Sequence, residues 1–142
     1  MTEVVIDTSV LLRHLTGEPP DLAERARAVL AAAERAHVRL VVTALTLAEV
    51  VWVLQHSYRW RRGAIADGLA RLILSGAFSL PEASVISQAL TWYRMRPRLH
   101  FADAYIAAVA AGRGAAVVSL DRDLKRLRDV TVVDSSAAFE QP

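Results

Sequence analysis

Five carboxylates stand out in this sequence because each lies at the end of an apolar run or inside one. Asp7 closes the β-branched run Val4-Val5-Ile6 and is followed by Thr8, Ser9 and Val10. Glu49 sits among Leu45, Leu47, Ala48, Val50, Val51, Trp52, Val53 and Leu54, and Asp103 falls in the first turn of Phe101-Ala102-Asp103-Ala104-Tyr105-Ile106. Asp121 follows Val117-Val118-Ser119 much as Asp7 follows its own run, with Asp123 two residues on. Parallel strands share one C-terminal edge, where open α/β sheets bind ligands, so two strands that each end in aspartate would bring Asp7 and Asp121 together. A group of three or four carboxylates without a cation repels itself and raises the pKa of some members. Such a group implies a hard divalent cation with oxygen ligands, Mg²⁺ or Mn²⁺. An ion held this way keeps some of its waters, and it suits phosphodiester hydrolysis because it can supply hydroxide and offset developing charge.

Each acid also has a local role open to it. Asp7, Thr8 or Ser9 can cap a helix that starts there, and Asp121 or Asp123 can cap another. Glu49 can mark a solvent face together with Thr46, His56 and Ser57, although Val50 and Val53 share that arc. Asp103 complements the positive end of a helix dipole, yet Ala107 and Ala110 at helical spacing behind it suggest a helix packed closely against a sheet, with the acid facing a crevice. There is no cysteine, and His14, His37, His56 and His100 show no close ligand spacing, so a thiolate or imidazole site is not indicated. Arginines cluster at Arg59, Arg61 and Arg62, at Arg94, Arg96 and Arg98, and at Arg122, Arg126 and Arg128 around Lys125. These clusters are either solvated helix faces or, beside a carboxylate site, contacts to a polyanion such as RNA.

The elements that must position these residues alternate between strand and helix. Val4–Ile6 reads as a short strand buried on both faces, and Val10–Leu15 as a helix stopped by Gly17 and Pro19-Pro20. Asp21–Ala36 has strong helix formers and an apolar stripe. Val38–Val42 reads as a second buried strand, and Thr43 caps a long helix to about Tyr58. Arg61–Leu74 is amphipathic, Phe78–Leu80 extended, and Ala83–Met95 helical up to Pro97. Phe101–Ala111 is a helix ended by Gly112 and Gly114, followed by a strand at Ala115–Ser119, a short helix at Asp121–Leu127 and a last strand at Val130–Val133. Short connections between alternating elements argue for an α/β fold of three layers, with a central parallel sheet of four to five strands between helices.

The chain has 142 residues, 54% of them hydrophobic, and a formal net charge of +2. That fits one domain over 1–142 with a sizeable core. Its pI near 9.5 is only mildly basic and says little about partners. The absence of cysteine fits an intracellular setting. No basic segment precedes an apolar one at the N-terminus, and Glu49 interrupts the longest apolar stretch, Leu40 to Leu54, which is too short for a membrane span. A cytoplasmic protein with no membrane association is expected.

Taken together, the four motifs resemble a known family. Val5-Ile6-Asp7-Thr8-Ser9-Val10-Leu11-Leu12, Glu49 in Leu47-Ala48-Glu49-Val50, Asp103 in Phe101-Ala102-Asp103-Ala104-Tyr105-Ile106-Ala107-Ala108, and Ser119-Leu120-Asp121-Arg122-Asp123-Leu124 are similar to PIN-domain ribonucleases. Their size and order look most like the VapC toxins of bacterial type II toxin–antitoxin pairs. The resemblance implies a metal-dependent endoribonuclease, a homodimer, and a VapB-like antitoxin whose C-terminal segment fills the active-site groove. Carried over by residue, Asp7 and Asp103 are the principal Mg²⁺ ligands, and Glu49 is a ligand directly or through water. Asp121 holds a second metal or orients the attacking water, a role Asp123 could share. Ser9 and Ser119 would position the acids by hydrogen bonding, and no core acid is missing.

Two other classes compete. One is a metal-dependent phosphatase or phosphotransferase on small substrates, weakened because no second aspartate follows Asp7 two residues on. The other is a non-catalytic PIN module that binds RNA or protein. A partner surface would draw on Trp52, Tyr58, Trp60, Trp92 and Tyr93, if these aromatics are exposed rather than core.

Overall fold

In the computed structural model, which describes residues 2–140, the N-terminal β-branched run pairs in parallel with the second strand, as its composition suggests. The chain divides into two units, Met1–Ala83 and Ser84–Pro142. The first runs β1 (Glu3–Val5), α1 (Thr8–Thr16), α2 (Pro20–Ala36), β2 (Arg39–Val41), α3 (Ala44–His56), α4 (Arg62–Leu74) and β3 (Phe78–Ser79). Its sheet has the order β1-β2-β3 with all pairs parallel. Val4 stands opposite Leu40, and Leu40 opposite Phe78. The Ile6 N–H donates to the Val41 carbonyl at 3.0 Å and the Val42 N–H to the Ser79 carbonyl at 2.9 Å, so the ladder runs one residue past the strands, toward Asp7 after β1 and Thr43 after β2.

Local signals set most boundaries. Gly17 ends α1 in the left-handed conformation at φ 68°, which costs glycine nothing. Pro20 opens α2 at a position where no N–H is needed. Thr43 caps α3 by accepting from the Thr46 N–H. Leu11, Leu12, Leu40, Val42, Leu47, Val50, Val51, Leu54, Ile65 and Leu69 form the core of this unit. Strand β1 differs from expectation, since Val5 is 70% exposed rather than buried on both faces. A β-branched run favours extended backbone but does not say which faces will be covered, and β1 is an edge strand of its sheet.

The second unit contains most of α5 (Ala83–Met95), then α6 (Phe101–Arg113), β4 (Val117–Val118), α7 (Arg122–Lys125), β5 (Val132–Val133) and a 3₁₀ turn at Ser136–Phe139. Strands β4 and β5 pair in parallel, with Val117 opposite Val132. Ile86, Leu90, Tyr93, Phe101, Ala104, Ala107, Ala108, Leu124 and Leu127 are among its buried residues, and Tyr93 meets Phe101 edge to face at 6.1 Å. Trp92 and Tyr93 are 8% and 0% exposed, so the expectation of a partner surface there is corrected: both fall on the apolar stripe of α5 and belong to the core.

The class is α/β, with parallel strands flanked by helices. Five strands are present among the described residues, three in one sheet and two in another. The strands are shorter than the apolar runs that announce them, because a ladder needs a facing partner and a run alone does not supply one. No helix among the described residues is long and apolar enough to cross a membrane.

Candidate functional site

In the first unit the turn after β1 holds Asp7 as the N-cap of α1. Its Oδ1 accepts from the Ser9 hydroxyl at 2.6 Å, the Ser9 N–H at 3.1 Å and the Val10 N–H at 3.4 Å. The Ser9 hydroxyl is the largest influence holding the Asp7 carboxyl below the usual carboxylate range; burial opposes it, and the two N–H donors add to it. Asp7 is therefore ionised at neutral pH and fixed in direction. The Thr8 hydroxyl donates to Glu49 Oε2 at 2.6 Å, across 41 residues of sequence. Glu49 is exposed on α3, and this bond ties it to the turn that holds Asp7. Sequence reasoning assigned Thr8 no such role. The available signal was a hydroxyl beside Asp7, but its partner depends on how α1 and α3 pack.

In the second unit Asp103 stands in the first turn of α6, half-buried, with Ala107 and Ala110 both buried one and two turns behind it. Asp121 is the N-cap of α7 and accepts from the Asp123 N–H at 2.8 Å. The Asp121 N–H donates to the Ser119 hydroxyl at 3.0 Å, so Ser119 shapes this turn through the backbone, whereas Ser9 bonds its acid directly. Asp123 forms an ion pair with Arg126 at 3.5 Å. Burial, then the charge of Asp121 and to a lesser degree that of Asp123, pushes the Asp103 carboxyl above its ordinary range, with His100 opposing.

Among the described residues no three His, Cys, Asp or Glu side chains stand close enough to hold a metal ion as placed. Among the described residues β1 and β4 belong to different sheets, so the single sheet edge expected to carry both Asp7 and Asp121 is corrected to two. Each of these acids offers only carboxylate oxygens, donors of the kind a hard cation takes.

The arginine clusters divide. Arg96 pairs with Asp129 at 3.3 Å, Lys125 pairs with Asp134, and Arg126 pairs with Asp123, which gives part of the second and third clusters local acidic partners. Arg94 and Arg98 are exposed on and after α5. Arg59 and Arg61 are exposed in the connection between α3 and α4.

Comparison with known proteins places these features in context. A family profile described as "PIN domain" matches residues 4–130, a span that holds all five acids. Over 139 residues the chain is 33% identical to a protein named Ribonuclease VapC7 from Mycobacterium tuberculosis (strain ATCC 25618 / H37Rv), covering 95% of this chain and 93% of that one.

Proposed function

Because the chain belongs to the PIN-domain family, we propose that it is a divalent-metal-dependent endoribonuclease of the VapC type, acting in the cytoplasm as a homodimer and neutralised by a VapB-like antitoxin. The observation that carries this proposal is similarity at 33% identity along 95% of the chain to a protein whose name states ribonuclease activity. Asp7, Glu49, Asp103 and Asp121 form the proposed acid set, with Mg²⁺ or Mn²⁺ as its ion. A bound Mg²⁺ supplies activation of water and neutralisation of charge on the phosphodiester.

The chain's own residues have separable tasks. Ser9 keeps Asp7 ionised and aimed through its 2.6 Å bond. Thr8 holds one oxygen of Glu49 and leaves Oε1 for the site. Asp103, whose carboxyl burial and then the charge of Asp121 push above its ordinary range, is the acid that a nearby cation would favour in its ionised form. Asp121 is the preferred fourth acid, since Asp123 is engaged by Arg126. Arg94, Arg96 and Arg98 are candidates to contact RNA phosphates, Arg96 while also pairing with Asp129.

The test is cleavage of total RNA by the purified chain with Mg²⁺, with Mn²⁺, and after chelation. Chelation, Asp7→Asn and Asp103→Asn should each abolish cleavage. Cleavage that persists after chelation, or in either variant, rejects the acid-site mechanism.

A further inference from the structure

Trp52 is 59% exposed on α3, an unusual place for so large an apolar side chain. Its indole stacks on His56, with ring centroids 4.6 Å apart and planes 21° from parallel. His56 Nδ1 lies 2.9 Å from the Trp52 carbonyl oxygen, which fixes the imidazole one turn along. Glu49 precedes Trp52 by three residues and so neighbours it on the same helix face. From Val50 to Ala66 the sequence holds His56, Arg59, Arg61 and Arg62 and no acid.

The connection that carries Arg59 and Arg61 is pinned. The Tyr58 N–H donates to the Val53 carbonyl at 3.2 Å and the Trp60 N–H to the Leu54 carbonyl at 2.9 Å. The Tyr58 hydroxyl accepts from Arg13 Nη1 at 2.9 Å. Arg59 takes a left-handed backbone at φ 56°, sparsely populated for arginine, and its side chain is exposed.

We propose that Trp52, backed by His56, is a stacking platform for an unpaired base of the RNA substrate, with Arg59 and Arg61 contacting the neighbouring phosphates. The substrate class rests on the ribonuclease assignment above. A flat aromatic backed by a second ring and followed by cations is how single-stranded nucleic acid is held, with bases on rings and backbone on arginines. The face suits a protein partner less well. The Glu49 charge separates Trp52 from Leu45, the next exposed apolar residue on the helix, whereas interface centres are depleted of charge.

The experiment measures binding of a fluorescein-labelled single-stranded RNA oligomer, and of the duplex of the same sequence, to the Asp103→Asn chain with chelator present. Adding Trp52→Ala should weaken single-strand binding by about 5- to 150-fold and leave duplex binding unchanged, whereas Trp52→Phe should restore most of the loss. Arg59→Ala and Arg61→Ala should each weaken binding and lower the salt dependence by about one phosphate contact. Equal affinity with and without the indole overturns the proposal. So does a Trp52→Ala chain that changes from dimer to monomer with RNA affinity intact, which would assign the face to a second copy. Cleavage by the unmodified chain is scored separately. Cleavage with no Trp52 dependence of binding sinks the platform alone, and Trp52-dependent binding without cleavage sinks the nuclease assignment alone.

Discussion

Asp7 has two tasks that substitution can separate. As the N-cap of α1 its Oδ1 accepts from two backbone N–H groups and the Ser9 hydroxyl. Asparagine offers a carbonyl oxygen at the same place, and alanine offers nothing. Losing a cap of this kind costs about 1 kcal/mol, which for a chain of this length lowers Tm by roughly 3 °C. Asp7→Ala should therefore melt about that far below Asp7→Asn at neutral pH. The charge adds a second difference. Ser9 holds the Asp7 pKa below its ordinary value, so the folded state favours the ionised form. That stability is present above the unfolded pKa and is lost as pH falls through the folded one.

The gap between the parent and Asp7→Asn should then be widest near neutrality and close as the pH drops below about 4. Circular-dichroism melts from neutral to acid pH at constant ionic strength read both effects. Cleavage should fall in Asp7→Asn and Asp7→Ala alike, by more than the 10- to 100-fold typical of losing an outer partner of a metal ligand. If Asp7→Ala melts with Asp7→Asn, or if the gap to the parent ignores pH, Asp7 is not the cap described. If both melt as expected while Asp7→Asn still cleaves RNA, the cap stands and the assignment of Asp7 as a metal ligand fails.

Asp103→Asn should raise Tm in metal-free buffer while abolishing cleavage, because it removes a carboxylate whose pKa burial and Asp121 push up. The sign is opposite to that of Asp7: the protonated form stabilises the fold at low pH and the benefit disappears as pH rises through the raised pKa, so the advantage of the variant opens with rising pH in the same melts. Thr8→Val removes the hydroxyl that holds Glu49 Oε2 and should weaken Mg²⁺ activation of cleavage by about 10- to 100-fold, read from the Mg²⁺ concentration giving half-maximal rate. An unchanged Mg²⁺ dependence would leave Glu49 without a role for that bond.

Much of the fold was legible because its boundaries are set by local chemistry. A cap in the turn after β1, Thr43 as the cap of α3 and Gly17 closing α1 are decided within a few residues of chain, whereas Pro20, read as part of a helix stop, is the first residue of α2. Strand lengths and faces were less so, since the exposure of Val5 and the brevity of β4 depend on partner strands that the run itself does not encode. Similar limits apply to the arginines. A cluster such as Arg94, Arg96 and Arg98 reads as free positive charge until Asp129, 33 residues from Arg96, is seen to accept from it.

The acids follow the same division, which explains why they could be picked out although their mutual geometry could not. Apart from Glu49, which lies mid-helix on α3, they stand just after strands or in first helical turns, and a carboxylate there is stabilised by N–H groups whatever its function. Local stabilisation alone accounts for Asp7 and Asp121, both of which cap helices. It does not account for Asp103, which is half-buried near like charges and disfavoured in its ionised form. On the function proposed above, a cation drawn to these carboxylates would offset that cost. Of the acids, Asp103 is therefore the one whose surroundings a helix cap explains least.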